Sequence, residues 1–138
     1  MHWLIKNNLA DIEMLAKKIE SFGEMQGIPN SIIFAINLSL DELITNTINY
    51  GYTDMNEHSI TVDLELTETE VTIELIDDGL PFNPLECSDP DIGQDLDERP
   101  IGGLGIYLVR NMMNQVDYQR RDDKNIVVMK KLLNSSYI

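Results

Sequence analysis

Apolar residues along this chain follow two different periods. Leu9, Ile12, Leu15, Ala16, Ile19 and Phe22 recur three or four apart, which predicts an amphipathic helix over about 9–22. Asn8 stands where an N-cap belongs, and Gly23 or Gly27 ends the helix. Pro29-Asn30-Ser31 opens a second helix over about 31–49, carrying Ile32, Ile33, Ile36, Leu40, Leu43, Ile44 and Ile48, with Gly51 as its stop. The period then becomes two. Ile60, Val62, Leu64 and Leu66 share one face of a strand, and Val71, Ile73 and Leu75 share one face of the next. Thr67-Glu68-Thr69-Glu70 lies between them, so the pair reads as a hairpin. Residues 2–6 form a short first strand. A third helix is expected over about 104–115. Val116–Arg121 and Ile126–Leu133 form a second hairpin around Asp122-Asp123-Lys124-Asn125. This order predicts an α+β fold, a two-layer α/β sandwich with helices on one face of a mainly antiparallel mixed sheet.

Composition narrows the class. The 138 residues are read as a single domain, and a hydrophobic share of 43% is too high for a disordered chain. No apolar run approaches a membrane span, and the N-terminus lacks the pattern of a signal peptide. Cys87 stands alone, so no internal disulfide forms and a reducing, cytoplasmic setting fits. The net charge of −14 argues against nucleic acid or an anionic membrane surface as a partner. Between Ile19 and Val109 the sole Lys or Arg is Arg99. Any phosphate bound there must be neutralised mostly by backbone N–H groups, a metal ion and Arg99.

Three short segments carry candidate chemistry. Glu42 and Asn46 are four apart on the second helix and so are neighbours on one face. An amide oxygen suits magnesium, and a carboxylate one turn away can take a proton from a hydroxyl. Asp77 ends a strand in Asp77-Asp78-Gly79-Leu80-Pro81-Phe82, where it could accept a hydrogen bond from an exocyclic amine beside a flat ring. Gly102-Gly103-Leu104-Gly105 opens the third helix and can turn backbone N–H groups toward an anion. Taken singly, each has a plainer reading: a polar stripe, an ordinary turn, a hinge. Residues 85–101 are acidic and broken by Pro90, Gly93 and Pro100, as expected of a lid. Arg110 fits a surface ion pair, and His2, His58 and Cys87 stand in no recognisable catalytic relation.

The ordered trio of Glu42-x-x-x-Asn46, Asp77-x-Gly79 and Gly103-x-Gly105 resembles the N, G1 and G2 boxes of the GHKL (histidine kinase-like) ATPase superfamily. Asp77–Pro84 and Gly102–Arg110 look most like the anti-sigma factor serine/threonine kinases within it. The resemblance covers roughly residues 8–133. It implies a Bergerat-type fold, ATP bound with Mg2+, Asn46 as metal ligand and Glu42 as general base. Asp77 would read adenine. The implied nucleotide contacts are Asn46, Asn49, Asp77, Gly79, Pro81, Phe82, Arg99, Gly102, Gly103, Leu104 and Gly105, with 85–101 as the ATP lid. The implied partners are an anti-anti-sigma protein, phosphorylated on Ser or Thr, a sigma factor and a second copy of the chain. Thr47 stands where the family often has Ala, and Tyr50 where it often has His. The alternative reading is a non-catalytic module whose regulator-binding surface is switched by ATP; a retained Glu42 favours the enzyme. A stand-alone histidine kinase domain ranks behind both, since Pro81-Phe82 fits it less well.

Overall fold

The computed structural model describes residues 1–86 and 103–133, with Gly103 and Leu104 described through their backbone. The elements are β1 (His2–Lys6), α1 (Leu9–Gln26), α2 (Asn30–Tyr50), β2 (Ser59–Leu66), β3 (Glu70–Asp77), a 3-10 turn (Pro84–Glu86), α3 (Gly103–Met112), β4 (Gln115–Arg121) and β5 (Lys124–Leu132). The strands form one sheet in the order β1-β2-β3-β5-β4, and each neighbouring pair is antiparallel. The predicted two-layer architecture is therefore present.

Alternation decides which face is covered. Ile60, Val62 and Leu64 of β2, Val71, Ile73 and Leu75 of β3, and Val127 and Met129 of β5 are buried in one cluster with Ile32, Ile36, Leu40 and Ile44 of α2. Their alternates Thr61, Asp63, Glu65, Thr72 and Glu74 are not buried. Trp3 of β1 meets Phe22 of α1 edge-on, with ring centres 6.1 Å apart.

Three boundaries differ from expectation. First, α1 extends past Phe22 and Gly23 to Gln26, and of the two expected stops Gly27 is the one used, its φ of 72° being the left-handed cap position. Gly23 lies inside the helix because α2 crosses over it: a Cβ there would sit 2.6 Å from Ile33 Cγ1. Second, α3 ends at Met112, and Gln115 already pairs with Lys130. Asn114 breaks the helix by bonding β5 twice: its N–H donates to Lys130 O at 2.9 Å, and its Oδ1 accepts from Leu132 N–H at 2.9 Å. Third, the last hairpin turns on two residues. Asp122 and Asp123 both have positive φ, 53° and 61°, the pair that matches the twist of flanking strands. Lys124 and Asn125 therefore belong to β5, and that shift places Asn125 directly opposite Asp77.

Candidate functional site

The helix α2 is the wall shared by all three candidate segments. Its Glu42 is half-buried and faces the first turn of α3, where a side chain on Gly105 would overlap the Glu42 carboxylate. Gly105 is thus what lets an acidic group lie against that helix end. Burial, with a smaller push from neighbouring Asp41, raises the Glu42 pKa above the usual carboxylate value. A carboxylate disposed in this way is suited to accept a proton.

One turn further along, Asn46 and Thr47 face the end of β3. The Nδ2 of Asn46 is buried and has no hydrogen-bond partner among the described residues. Either end of an amide can be turned to such a position, so a metal or ligand atom there would meet a free donor or acceptor. The Thr47 hydroxyl lies 3.1 Å from Leu43 O and 3.5 Å from Asp77 Oδ2. Its single proton serves the shorter contact better, leaving Oδ2 available to a ligand.

Asp77 is in phase with Val71, Ile73 and Leu75, and so it points into the helix-covered side and is 6% exposed. Its Oδ1 accepts from Gly79 N–H and from Asn125 Nδ2, each at 2.9 Å. Burial raises its pKa; the bonds from Asn125 and Gly79 oppose that, and the adjacent Asp78 charge adds to it. Gly79 has a reason beyond the flat ring expected beside it. A Cβ there would sit 2.9 Å from Gly51 O, and Leu80 N–H donates to that same carbonyl at 2.7 Å. The turn after β3 is pressed onto the end of α2. Arg120 Nη1 holds it from the other side by donating to Gly79 O at 2.8 Å.

Asn46, Thr47, Tyr50, Gly51, Asp77, Leu80, Pro81, Phe82 and Asn125 enclose a cavity of about 290 Å³. A wider groove of about 590 Å³ between α1 and α2 is lined mainly by Leu9, Ile12, Leu15, Phe34, Leu38 and Leu40. Volume alone does not mark the site; convergent polar groups do. Of the residues expected at the nucleotide, Asn46, Asp77, Pro81 and Phe82 line the smaller cavity, Gly79 adjoins it, and Gly105 meets Glu42. Asn49 is exposed and does not line it. Gly103 and Leu104 begin α3, whereas Arg99, Gly102 and the lid beyond Glu86 lie outside the described residues.

The sequence reading missed Asn125, Tyr118 and Arg120. All three occupy inward register positions at the end of the sheet, Asp77 opposite Asn125 and Asn125 opposite Arg120. Had the turn been read as two residues, the alternation back from Met129 and Val127 would have put Asn125 on the Asp77 face.

His58 stands beside this site. Its ring stacks on Tyr52 at 4.1 Å, its Nε2 lies 2.7 Å from Asp54 Oδ1, and its Nδ1 lies 3.4 Å from Asp78. The hydrogen bond to Asp54 raises the His58 pKa and lowers that of Asp54. A raised imidazole pKa stabilises the fold fully below the ordinary value, and the benefit vanishes as pH rises through the folded value. His58→Gln is therefore expected to lower the melting temperature more at about pH 6 than at about pH 9. A difference that does not change with pH would dismiss the charge contribution.

A sequence-family model described as "Histidine kinase-like ATPase domain" matches residues 5–131. Among curated proteins, the chain is 32% identical over 92 residues to serine/threonine-protein kinase BtrW of Bordetella bronchiseptica. That match spans 67% of this chain and 65% of that protein. It is 28% identical over 105 residues to anti-sigma F factor of Clostridium beijerinckii, spanning 70% of this chain and 68% of that one. Among solved structures, a Mycobacterium tuberculosis protein with RsbU and RsbW domains superposes with a TM-score of 0.65 at 13% identity. It covers 96% of this chain, and this chain spans 32% of it, a likeness of fold.

Proposed function

The chain belongs to the histidine kinase-like ATPase domain family, and from that membership we propose that it is an ATP-dependent serine/threonine protein kinase of the anti-sigma factor type. Its partner would be an anti-anti-sigma protein phosphorylated on Ser or Thr, with a sigma factor as the regulator it sequesters. The Bordetella relative's name supports a serine/threonine kinase, and the Clostridium relative's name supports an anti-sigma role. The observation that carries it is the single helix that sets Glu42 against α3 and, one turn on, Asn46 beside the Asp77 cavity.

Each residue has a role in this reading. Asp77 Oδ2 accepts a hydrogen bond from the exocyclic amine of adenine, while Leu80, Pro81, Phe82 and Tyr50 supply apolar contact around the base. The first turn of α3 would face the phosphates through its backbone N–H groups. Asn46 would hold Mg2+ through its amide oxygen, and its buried Nδ2 without a partner among the described residues fits an amide turned to face the ion. Among the described residues no cluster of three His, Cys, Asp or Glu could hold a metal. Magnesium is held through a few protein oxygens together with phosphates and water. Bound Mg2+ supplies neutralisation of the phosphate charge. Glu42 takes the proton of the acceptor hydroxyl as that hydroxyl's oxygen bonds to the terminal phosphorus. The bond from that phosphorus to the bridging oxygen breaks, ADP leaves with the electron pair, and the rest of catalysis is positioning. Among the described residues no helix is long and apolar enough to cross a membrane. We further propose a cytoplasmic setting and a homodimer, as the family resemblance implies, with residues 1–138 as one histidine kinase-like ATPase domain.

Calorimetry tests the binding step and radiolabel transfer tests the chemistry. ATP is expected to bind with magnesium and to bind much more weakly once EDTA removes it. Label should pass to a Ser- or Thr-bearing partner. Absence of ATP binding under both conditions would sink the reading; binding without transfer to any anti-anti-sigma partner would favour the nucleotide-switched module.

A further inference from the structure

We propose that Asn125 is a positioning residue: it holds Asp77 in one rotamer as a charged acceptor and ties it to the turn that covers the base. This rests on the ATP reading of the cavity.

Asn125 is 5% exposed and lies directly opposite Asp77 across β3 and β5. Its Nδ2 donates to Asp77 Oδ1 and to Leu80 O, each at 2.9 Å. Its Oδ1 accepts from Tyr118 Oη at 2.7 Å and from Phe82 N–H at 3.3 Å. A carboxamide has two protons to give and two lone pairs to fill, so this one is saturated by the protein. It borders the cavity yet retains no polar capacity for a ligand, and any effect on binding must pass through Asp77 or the 80–82 turn.

The two donor bonds have different consequences. The bond to Leu80 fixes the turn. The bond to Asp77 engages Oδ1, which Gly79 N–H also engages, and so leaves Oδ2 as the acceptor for a ligand. It also favours the ionised form against burial and the Asp78 charge. The other groups around Asp77 are the hydroxyls of Thr47 and Tyr52, and Arg120 reaches the turn through Gly79 O. A carboxyl that picked up a proton would offer the adenine amine a donor where an acceptor is needed.

Asn125→Thr and Asn125→Val form the test, since both are β-branched, similar in volume and suited to a strand, and only Thr keeps a donor for Asp77. The Asp77 carboxyl is followed by carbon NMR without nucleotide, from below the ordinary aspartate value upward until it is fully ionised, with folding checked by thermal melts at each pH. The Val variant should titrate roughly one pH unit higher than wild type, the size expected when one hydrogen bond to the charged form is lost. The Thr variant should fall between them. ATP affinity of the Val variant should fall below that of wild type by a factor that grows as the pH is lowered. In wild type, the Asn125 side-chain amide signals should shift with the same midpoint as the Asp77 carboxyl, a readout that needs no variant. An unmoved Asp77 titration, a loss of affinity equal at every pH, or amide signals blind to the Asp77 midpoint would each overturn the proposal. Since the titrations contain no nucleotide, a protein that failed to bind ATP would sink the ATP reading while they still measured the Asn125–Asp77 link.

Discussion

Glu42→Gln is expected to slow phosphoryl transfer by roughly 10²–10⁴-fold, the usual contribution of a positioned general base, while leaving ATP affinity nearly intact. The substitution keeps the size of the side chain, so its packing against Gly105 is retained and the first turn of α3 stays in place. What disappears is the capacity to accept a proton, which burial and Asp41 had strengthened by raising the carboxylate pKa. Asn46→Ala, one turn away on the same helix, should fail in the opposite manner, losing magnesium-dependent ATP binding itself. Radiolabel transfer and calorimetry on the same preparations separate the two. Full-rate transfer by Glu42→Gln would remove the base assignment, and unchanged magnesium dependence in Asn46→Ala would remove the metal assignment.

Asp77→Asn is expected to weaken ATP binding by about 1–3 kcal/mol, the scale for a lost hydrogen bond to a charged group. The amide oxygen can still accept from Gly79 and Asn125, so its NH2 must take the Oδ2 position and meet the adenine amine donor to donor. Stability should move the other way. An acid whose pKa is raised by folding binds its proton more tightly in the native state, so its charge costs stability at neutral pH. Removing that buried charge should leave the melting temperature at pH 7 equal to or above wild type. A variant that melts earlier and binds ATP normally would contradict both halves of the account.

Much of this was legible before any coordinates. Strict alternation through Val71, Ile73 and Leu75 carries Asp77 onto the buried face, and helical spacing puts Glu42 and Asn46 on one side of α2. What stayed hidden depended on long-range contact. The passage of α1 through Gly23 is decided by Ile33, ten residues on in another helix. The need for glycine at 79 comes from the Gly51 carbonyl, which no local pattern reveals. Asn125 looked like turn chemistry because Asp-Asp-Lys-Asn is polar throughout; the two left-handed aspartates shortened the turn and returned it to the sheet. Periodicity reports which face a residue shares, not what the opposite strand presents to it.

The strand order also bears on synthesis. In β1-β2-β3-β5-β4 the final strand is inserted between β3 and its own hairpin partner, so the carboxylate at the end of β3 obtains its buried neighbour from the last stretch of the described chain to leave the ribosome. Until β5 arrives, β3 is an open edge and Asp77 has no cross-strand amide. On the proposed reading, a nascent chain would therefore carry Asp77 and Glu42 well before their site is complete, and competence for nucleotide would arrive late, when the closing hairpin docks.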